Sequence, residues 1–526
     1  MEATARAHAE LTPPVDPARH SYDQILNSSL LIGGSSLVTI VAAILRTKIV
    51  AVFLGPAGLG LMGLLGSIAT MVGTLTALGV GTSGVREIAE AASTGDTRRV
   101  ARTVTAVRQI VFRLGLVGAI LVAACSIPLS RLTFGSVEHA GEIALLSLVV
   151  AAGAVTEGHL AVLQGFRRMH DLARVAVLGA IVSLTLTLPI LYFRRQDAIV
   201  TLLLATSGAA LASAWWYARR MAPAPVPMTW RETLREAQPL MHLGLAAMCS
   251  ALLVAAIAYV IRVVIVRDLG FAAAGMYQSA TTLSGVYCGF ILSAMAADFL
   301  PRLSSVASDD SACNRLVNEQ AEVGLLLAFP GICATLAFSP LIVQLLYSGQ
   351  FGPADEVLRW QVLGVFLRVA SWPMGYLLLA RRRATLYFWT ELSYNLVHVG
   401  LLWIGIRVWG LPGTGVAFFG LYVYYTVLMY FVTRRLAGFA WSIPNMRLAL
   451  VAIPTVAFIF AAPAVLPSPW HFIASGAVTA AAAVYSLRTL LSLSGHQRLQ
   501  KSIASQIEVL RAVGLRVAGL FRVRHG

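Results

Sequence analysis

Charge is what this chain has least of. Asp, Glu, Lys and Arg make up 12% of its 526 residues, where soluble domains carry about 25%. With 58% hydrophobic residues and a mean hydropathy of +0.76, that scarcity excludes an ordinary soluble domain. Lysine is nearly missing: Lys48 and Lys501 stand against 38 arginines, so arginine at any one site says little by itself. The five cysteines, Cys125, Cys249, Cys288, Cys313 and Cys333, are scattered and form no CxxC. Neither a disulfide framework nor a metal site is indicated. The first two dozen residues mix charge with proline and lack the apolar core of a signal peptide; they read as a flexible cytoplasmic tail. There is no P-loop, HExxH or GxSxG, which argues against direct ATP hydrolysis and against those hydrolase classes, and no cofactor is implied. The net charge of +16 does not call for nucleic acid, because membrane chains concentrate cations in cytoplasmic loops.

Long apolar runs are what is present. Twelve of helix length lie at 30–54, 57–80, 109–129, 143–164, 172–193, 198–217, 241–266, 271–297, 321–346, 360–380, 384–406 and 412–433. A spanning helix needs ~20 such residues, and only helices or closed barrels satisfy their backbone in lipid. Two further runs, 447–466 and 470–491, are made less regular by Pro454, Pro463, Pro467 and Pro469. The chain is therefore predicted to be all-α, a polytopic membrane protein with 12–14 transmembrane helices. The loops after even-numbered spans are rich in arginine, as in the triplet Arg381, Arg382 and Arg383, whereas those after odd-numbered spans are short and poorer in cations. The positive-inside rule then puts both termini in the cytoplasm. Beyond His496, Leu499, Ile503, Ile507, Leu510 and Phe521 recur at roughly helical spacing among cations. This tail reads either as an interfacial amphipathic helix or as one packed on the protein's own loops.

An internal repeat links spans 1 and 7. Arg46 and Arg262 stand late in these spans, and each is followed by Leu-Gly, four residues and another Gly: Leu54-Gly55 to Gly60, and Leu269-Gly270 to Gly275. Six spans separate the copies, so both halves share one orientation. Two six-helix lobes related by a pseudo-twofold axis along the membrane normal are implied. The expected organisation is a tail at 1–24, a first lobe at 25–220, a second at 221–435, two more spans at 436–494 and the basic tail at 495–526.

Ionisable residues inside spans are costly and mark candidate sites. Arg46, Lys48 and Arg262 fall in the outer halves of spans 1 and 7, and Arg368 lies in span 10. Eight residues from the outer end place Arg368 at a depth of ~12 Å, too deep for easy snorkelling. A cationic cavity between the lobes, attracting an anion such as phosphate, is the economical reading. Snorkelling to the headgroups is the alternative for Arg46, Lys48 and Arg262. Glu157 and Glu391 fall in the inner halves of spans 4 and 11, near His159 and His398. Such acids either bind H⁺ or Na⁺ or serve as structural partners of arginines. The histidines read as packing residues, and Arg113 as a snorkelling cation.

The segment from Ser35 to Glu90 resembles the start of Wzx-type flippases, those of O-antigen and lipid III among them. A late-cation span 1, "LGPAGLGL" at Leu54–Leu61 and a glycine-rich span 2 ending "GVGTSGV" carry the match. The span number, parallel repeat and cytoplasmic termini resemble the wider MATE-like superfamily of multidrug, oligosaccharidyl-lipid and polysaccharide exporters. The resemblance implies an undecaprenyl-pyrophosphate-linked oligosaccharide as substrate, alternating access in the bacterial inner membrane, and glycan polymerase machinery as a possible partner. Arg46 and Lys48 match the family's basic span 1; Arg262 and Arg368 are added on position and chemistry. The family pattern usually ends near twelve spans, which leaves a lipid II flippase open as an alternative. A cation-coupled multidrug exporter is a second alternative, although it calls for an acidic cavity. A membrane glycan polymerase or ligase is a third, although the large periplasmic loop such enzymes usually carry is missing.

Overall fold

The computed structural model describes residues 17–194, 198–221 and 226–493. The basic tail at 495–526 and most of the tail at 1–24 lie outside the described residues, among which every regular element is helical. The α-helices are α1 Pro17–Ala77, α2 Val80–Ser93, α3 Thr97–Ala124, α4 Ser126–Phe134, α5 Ala140–Gly165, α6 Met169–Phe193 and α7 Ala198–Met221. They continue as α8 Trp230–Ser305, α9 Asp310–Leu346, α10 Ala354–Ala380, α11 Ala384–Trp409, α12 Pro412–Ala437, α13 Ile443–Val465 and α14 Trp470–Leu493, with a 3₁₀ turn at Gly349–Phe351.

Two helices each hold a pair of predicted spans. α1 is broken at Gly55 (φ 64°, ψ −170°) and α8 at Gly270 (φ 84°, ψ 175°). That backbone region is essentially restricted to glycine. Pro56 follows directly, in the first turn of the second rod, where its missing N–H costs nothing. Eleven helices among the described residues are long and apolar enough to cross a membrane. Val38–Ala77 and Met248–Gly285 are two of them, with 40 and 38 residues. Each would run ~60 Å if straight, twice a hydrocarbon core of ~30 Å, so each supplies two crossings. α11 is absent from the eleven although it has 26 residues, because Glu391, Tyr394, Asn395 and His398 lower its hydropathy. With it, all fourteen predicted runs are accounted for.

The chain forms two compact units, residues 1–278 with 344–351, and residues 279–343 with 352–526. In the first, α3 packs along α5, and α6 along α1. Val80, Ile88, Val104, Val107, Val111 and Val162 form a core between α2, α3 and α5. In the second, α12 packs along α10 and α11. Phe299, Leu303, Val317, Met374, Leu377 and Met429 fill its main core. An asparagine clamp attaches α13 there. Asn318 Oδ1 accepts from the Ser442 N–H at 2.8 Å and from Asn445 Nδ2 at 3.0 Å, while its Nδ2 donates to the Ala440 carbonyl at 3.0 Å. Arg359 adds a hydrogen bond to the Phe460 carbonyl and stacks on the Phe460 ring at 4.8 Å.

Candidate functional site

The repeat seen in the sequence becomes a contact in the first unit. A Cβ added to Gly60 would lie 2.1 Å from the Phe271 carbonyl oxygen, and one added to Gly275 would lie 1.8 Å from that of Pro56. The two helices therefore cross backbone to backbone at equivalent positions of the repeat. Eight residues past each kink glycine the equivalents meet again: a Cβ on Gly63 would lie 3.3 Å from Gln278 Oε1. Contacts between equivalent residues are what a twofold relation produces, here locally around Gly60 and Gly275.

The kinks are held in matching ways. Lys48 Nζ donates to the Leu345 carbonyl at the end of α9, 2.6 Å away, and Gln350 Oε1 lies against Gly55. Arg267 Nη2 donates to the Arg131 carbonyl, at 3.1 Å, and to the Leu132 carbonyl at the end of α4. The Phe134 and His139 rings each lie 5.9 Å from Phe271, next to Gly270. Cations near a helix C-terminus satisfy carbonyls left without intrahelical partners. Lys48 is thus engaged as a helix cap, and Arg267 does the same work at the second kink.

Arg46 is placed differently. It is half-buried, its Nη1 donates to Ser183 Oγ on α6 at 3.0 Å, and it lines a cavity of about 480 Å³. Ala42, Leu160, Val175, Ala176 and Ala180 supply apolar walls; Thr39, Thr156, Thr206 and Ser213 add hydroxyls. Arg262 is also half-buried and grips Gln278 Oε1 through Nε at 3.2 Å and Nη2 at 2.8 Å, with Nη1 on the Ala258 carbonyl at 2.9 Å. Among the described residues neither guanidinium is paired with a carboxylate. Arg262 is not in the wall of the Arg46 cavity. The two arginines stand nine and eight residues before their kink glycines, one residue out of register, and have different partners. Ser183, Gln278 and Arg267 were not singled out from the sequence. For Gln278 a signal existed, since it occupies the repeat position of Gly63.

Glu157 is exposed to a second cavity in this unit, of about 490 Å³, with Thr70, Thr74 and Ser207 in its wall. It forms no ion pair among the described residues, so the structural-partner alternative finds no arginine there. His159 is buried on the same helix. In the second unit Arg368 faces the Tyr422 ring at 6.0 Å, and the Tyr394 hydroxyl donates to that of Tyr422 at 3.0 Å. Glu391 shares a hydrogen bond with the Tyr425 hydroxyl, whose ring lies 5.1 Å from Tyr394. His398 is buried against Phe418 at 6.2 Å and Tyr394 at 6.4 Å. An acid, an arginine and three tyrosines thus form one polar cluster on α10, α11 and α12.

Repeated kinked helices and arginines held within spanning segments define a polytopic α-helical membrane protein. A family model described as "Polysaccharide biosynthesis protein" matches residues 49–356, and the chain belongs to that family. The lipid III flippases of Escherichia coli (strain K12) and Shigella flexneri are each 25% identical to it over 418 residues, covering 76% of this chain and 96% of theirs. The lipid II flippase MurJ in an inward closed conformation matches with a TM-score of 0.67 at 12% identity, over 88% of this chain and 99% of that one. An inward-facing multidrug resistance MATE transporter of the MOP superfamily matches at 0.65 and 15% identity, over 76% of this chain and 94% of that one. At these identities the solved structures speak to fold alone. The resemblance to Wzx-type flippases and the all-helical, MATE-like fold are both borne out.

Proposed function

We propose that this protein moves an undecaprenyl-pyrophosphate-linked oligosaccharide from the cytoplasmic to the periplasmic leaflet of the bacterial inner membrane by alternating access. The observation that carries this is Arg46, a guanidinium inside a spanning helix, set in a cavity and, among the described residues, hydrogen-bonded to a neutral serine hydroxyl and paired with no carboxylate. A charge kept within the membrane without a protein counter-ion is costly, and a phosphate oxygen matches the guanidinium fork. Hydrogen bonding to α6 inside a cavity also argues against snorkelling. Arg262 and Arg368 are assigned to the same substrate's anionic groups. Lys48, although basic and adjacent, is assigned to the helix cap described above. The name of the E. coli relative supports a lipid-linked glycan, and the arginine-rich loops support cytoplasmic termini. Transport without covalent chemistry suffices for this task.

A deletion strain tests the proposal. Undecaprenyl-linked oligosaccharide is expected to accumulate, protected from a membrane-impermeant probe, while surface polysaccharide falls. Accumulation of peptidoglycan precursor with arrested growth would instead favour the lipid II reading, to which the fourteen crossings lend support. Unchanged surface glycan together with new drug sensitivity would overturn the proposal.

Glu157 is assigned to cation coupling, because a carboxylate with no ion-pair partner among the described residues, in a cavity whose wall includes the hydroxyls of Thr70, Thr74 and Ser207, is suited to bind H⁺ or Na⁺. Glu157→Gln is expected to abolish the dependence of export on the ion gradient while downhill exchange of substrate persists. Export that keeps its full gradient dependence in this variant would remove Glu157 from the coupling role.

A further inference from the structure

One end of the first unit carries a set of arginines stacked on tryptophans that the transport proposal does not use. At the end of α7, the Arg219 guanidinium lies 4.2 Å from the Trp215 ring centre and 4.1 Å from that of Trp216. Arg220 lies 4.7 Å from Trp216. Both arginines and both indoles are exposed, and among the described residues neither arginine is paired with a carboxylate. Two neighbouring elements reach the same level. Arg108 of α3 meets the Ala218 carbonyl at 3.5 Å, and Gln109 accepts from Thr233 of α8 at 2.8 Å. Arg113, about five residues and ~7.5 Å further along α3, is exposed and stacks on Trp230 at 4.1 Å. There α3 turns apolar and outward-facing, with Phe112 61% and Leu116 50% exposed.

These features locate a boundary. Tryptophans gather at the headgroup level of a bilayer, and the exposed apolar face of α3 starts beside Arg113. A guanidinium whose face is covered by an indole keeps its N–H edge free for a planar, bidentate anion. Two acids at the start of α8 are already engaged. Glu232 accepts from the Thr229 N–H and hydroxyl, each at 2.7 Å, bonds that hold its carboxyl below the usual carboxylate range. Glu236 pairs with Arg102. The patch is therefore cationic and planar in its donors, at the depth of lipid phosphates.

We infer that Arg219 and Arg220, on their tryptophan platform, form a docking surface for anionic phospholipid headgroups of the leaflet at which α7 ends. This goes beyond the transport proposal and does not depend on it. The competing explanation is that these arginines only set topology. That role asks for positive charge, but not for stacking or for lipid selectivity.

The test uses the full chain in vesicles of phosphatidylethanolamine and phosphatidylglycerol in equal proportion, with one or the other brominated in its acyl chains. Quenching assigned to Trp215 and Trp216, by difference from a Trp215→Phe/Trp216→Phe protein, reports which lipid sits against the patch. Near-surface cations attract anionic lipid strongly enough for an enrichment of about fivefold in favour of phosphatidylglycerol. Arg219→Gln/Arg220→Gln is expected to equalise the two lipids. Arg219→Lys/Arg220→Lys, which keeps charge and folding, is expected to give an intermediate ratio. Equal quenching in the unaltered protein, or a ratio unchanged in the glutamine variant, would overturn the inference. A lysine variant indistinguishable from the unaltered protein would overturn the role of the stacked fork.

Discussion

Replacing Gly275 by valine is expected to abolish transport while the protein still inserts normally. A Cβ at this position falls 1.8 Å from the Pro56 carbonyl oxygen, a backbone atom that no rotamer change can move aside. The two rods must separate for the side chain to fit. Overpacking of this kind costs ~1–3 kcal/mol, and 2 kcal/mol shifts a two-state equilibrium about thirtyfold. In an alternating-access cycle that shift disfavours every state in which Gly60 and Gly275 touch. Ser67 is 8% exposed, two helical turns past Gly60 on the same rod. With the native exposed cysteines Cys125 and Cys249 replaced, maleimide labelling of Ser67→Cys should rise by about that thirtyfold factor in the Gly275→Val background. Gly60→Ala provides an independent wedge, 2.1 Å from the Phe271 carbonyl oxygen, and should behave alike. Normal export with unchanged labelling would show that this crossing never closes as part of the cycle.

The crossing was legible in the sequence to an unusual depth. Leu-Gly, four residues and Gly at two places led to the same non-helical backbone at Gly55 and Gly270, because only glycine adopts that region cheaply. What the spacing did not disclose was that Gly60 and Gly275 touch each other, since a repeat in sequence carries no information on which copies meet. Span 3 is predicted to open at residue 109, while its helix, α3, already begins at Thr97, capped by Asp96. Hydropathy reads contact with lipid, and the turns bearing Arg98, Arg99 and Arg102 are as well hydrogen-bonded as the apolar ones. The end of span 2 at residue 80 falls where Gly79, with φ 66°, separates α1 from α2, but α2 itself had no signal in hydropathy, because Arg86, Glu87 and Glu90 keep it out of any long apolar run. Charged residues were found without difficulty, but not their partners. Lys48 and Arg46 stand two residues apart and differ wholly in surroundings, one on the Leu345 carbonyl and one in a cavity. Only the direction in which each points from α1 separates them, and that depends on elements more than a hundred residues away.

That difference sets up the second large effect. Arg46→Ala is expected to lower export by about ten- to a hundredfold, the range that follows from losing a charged hydrogen bond of ~1.5–3 kcal/mol. Expression and insertion should stay normal, because among the described residues the side chain contributes one hydrogen bond, to the hydroxyl of Ser183. Two companions separate substrate binding from structure. If Arg46 merely tied α1 to α6, Ser183→Ala would reproduce its loss; if Arg46 meets phosphate, Ser183→Ala should cost clearly less than Arg46→Ala, because the guanidinium keeps its stronger, doubly charged partner. Arg46→Lys keeps the charge but not the bidentate fork and should fall between. The readout is lipid-linked oligosaccharide retained on the cytoplasmic leaflet, scored beside surface polysaccharide. Lys48→Ala supplies the contrast: with its ammonium on a helix-end carbonyl, its loss should loosen the Gly55 kink and change labelling at Ser67→Cys before it changes retained glycan. Full export by Arg46→Ala would remove the anion from this cavity, and with it the reason for a guanidinium at that depth in α1.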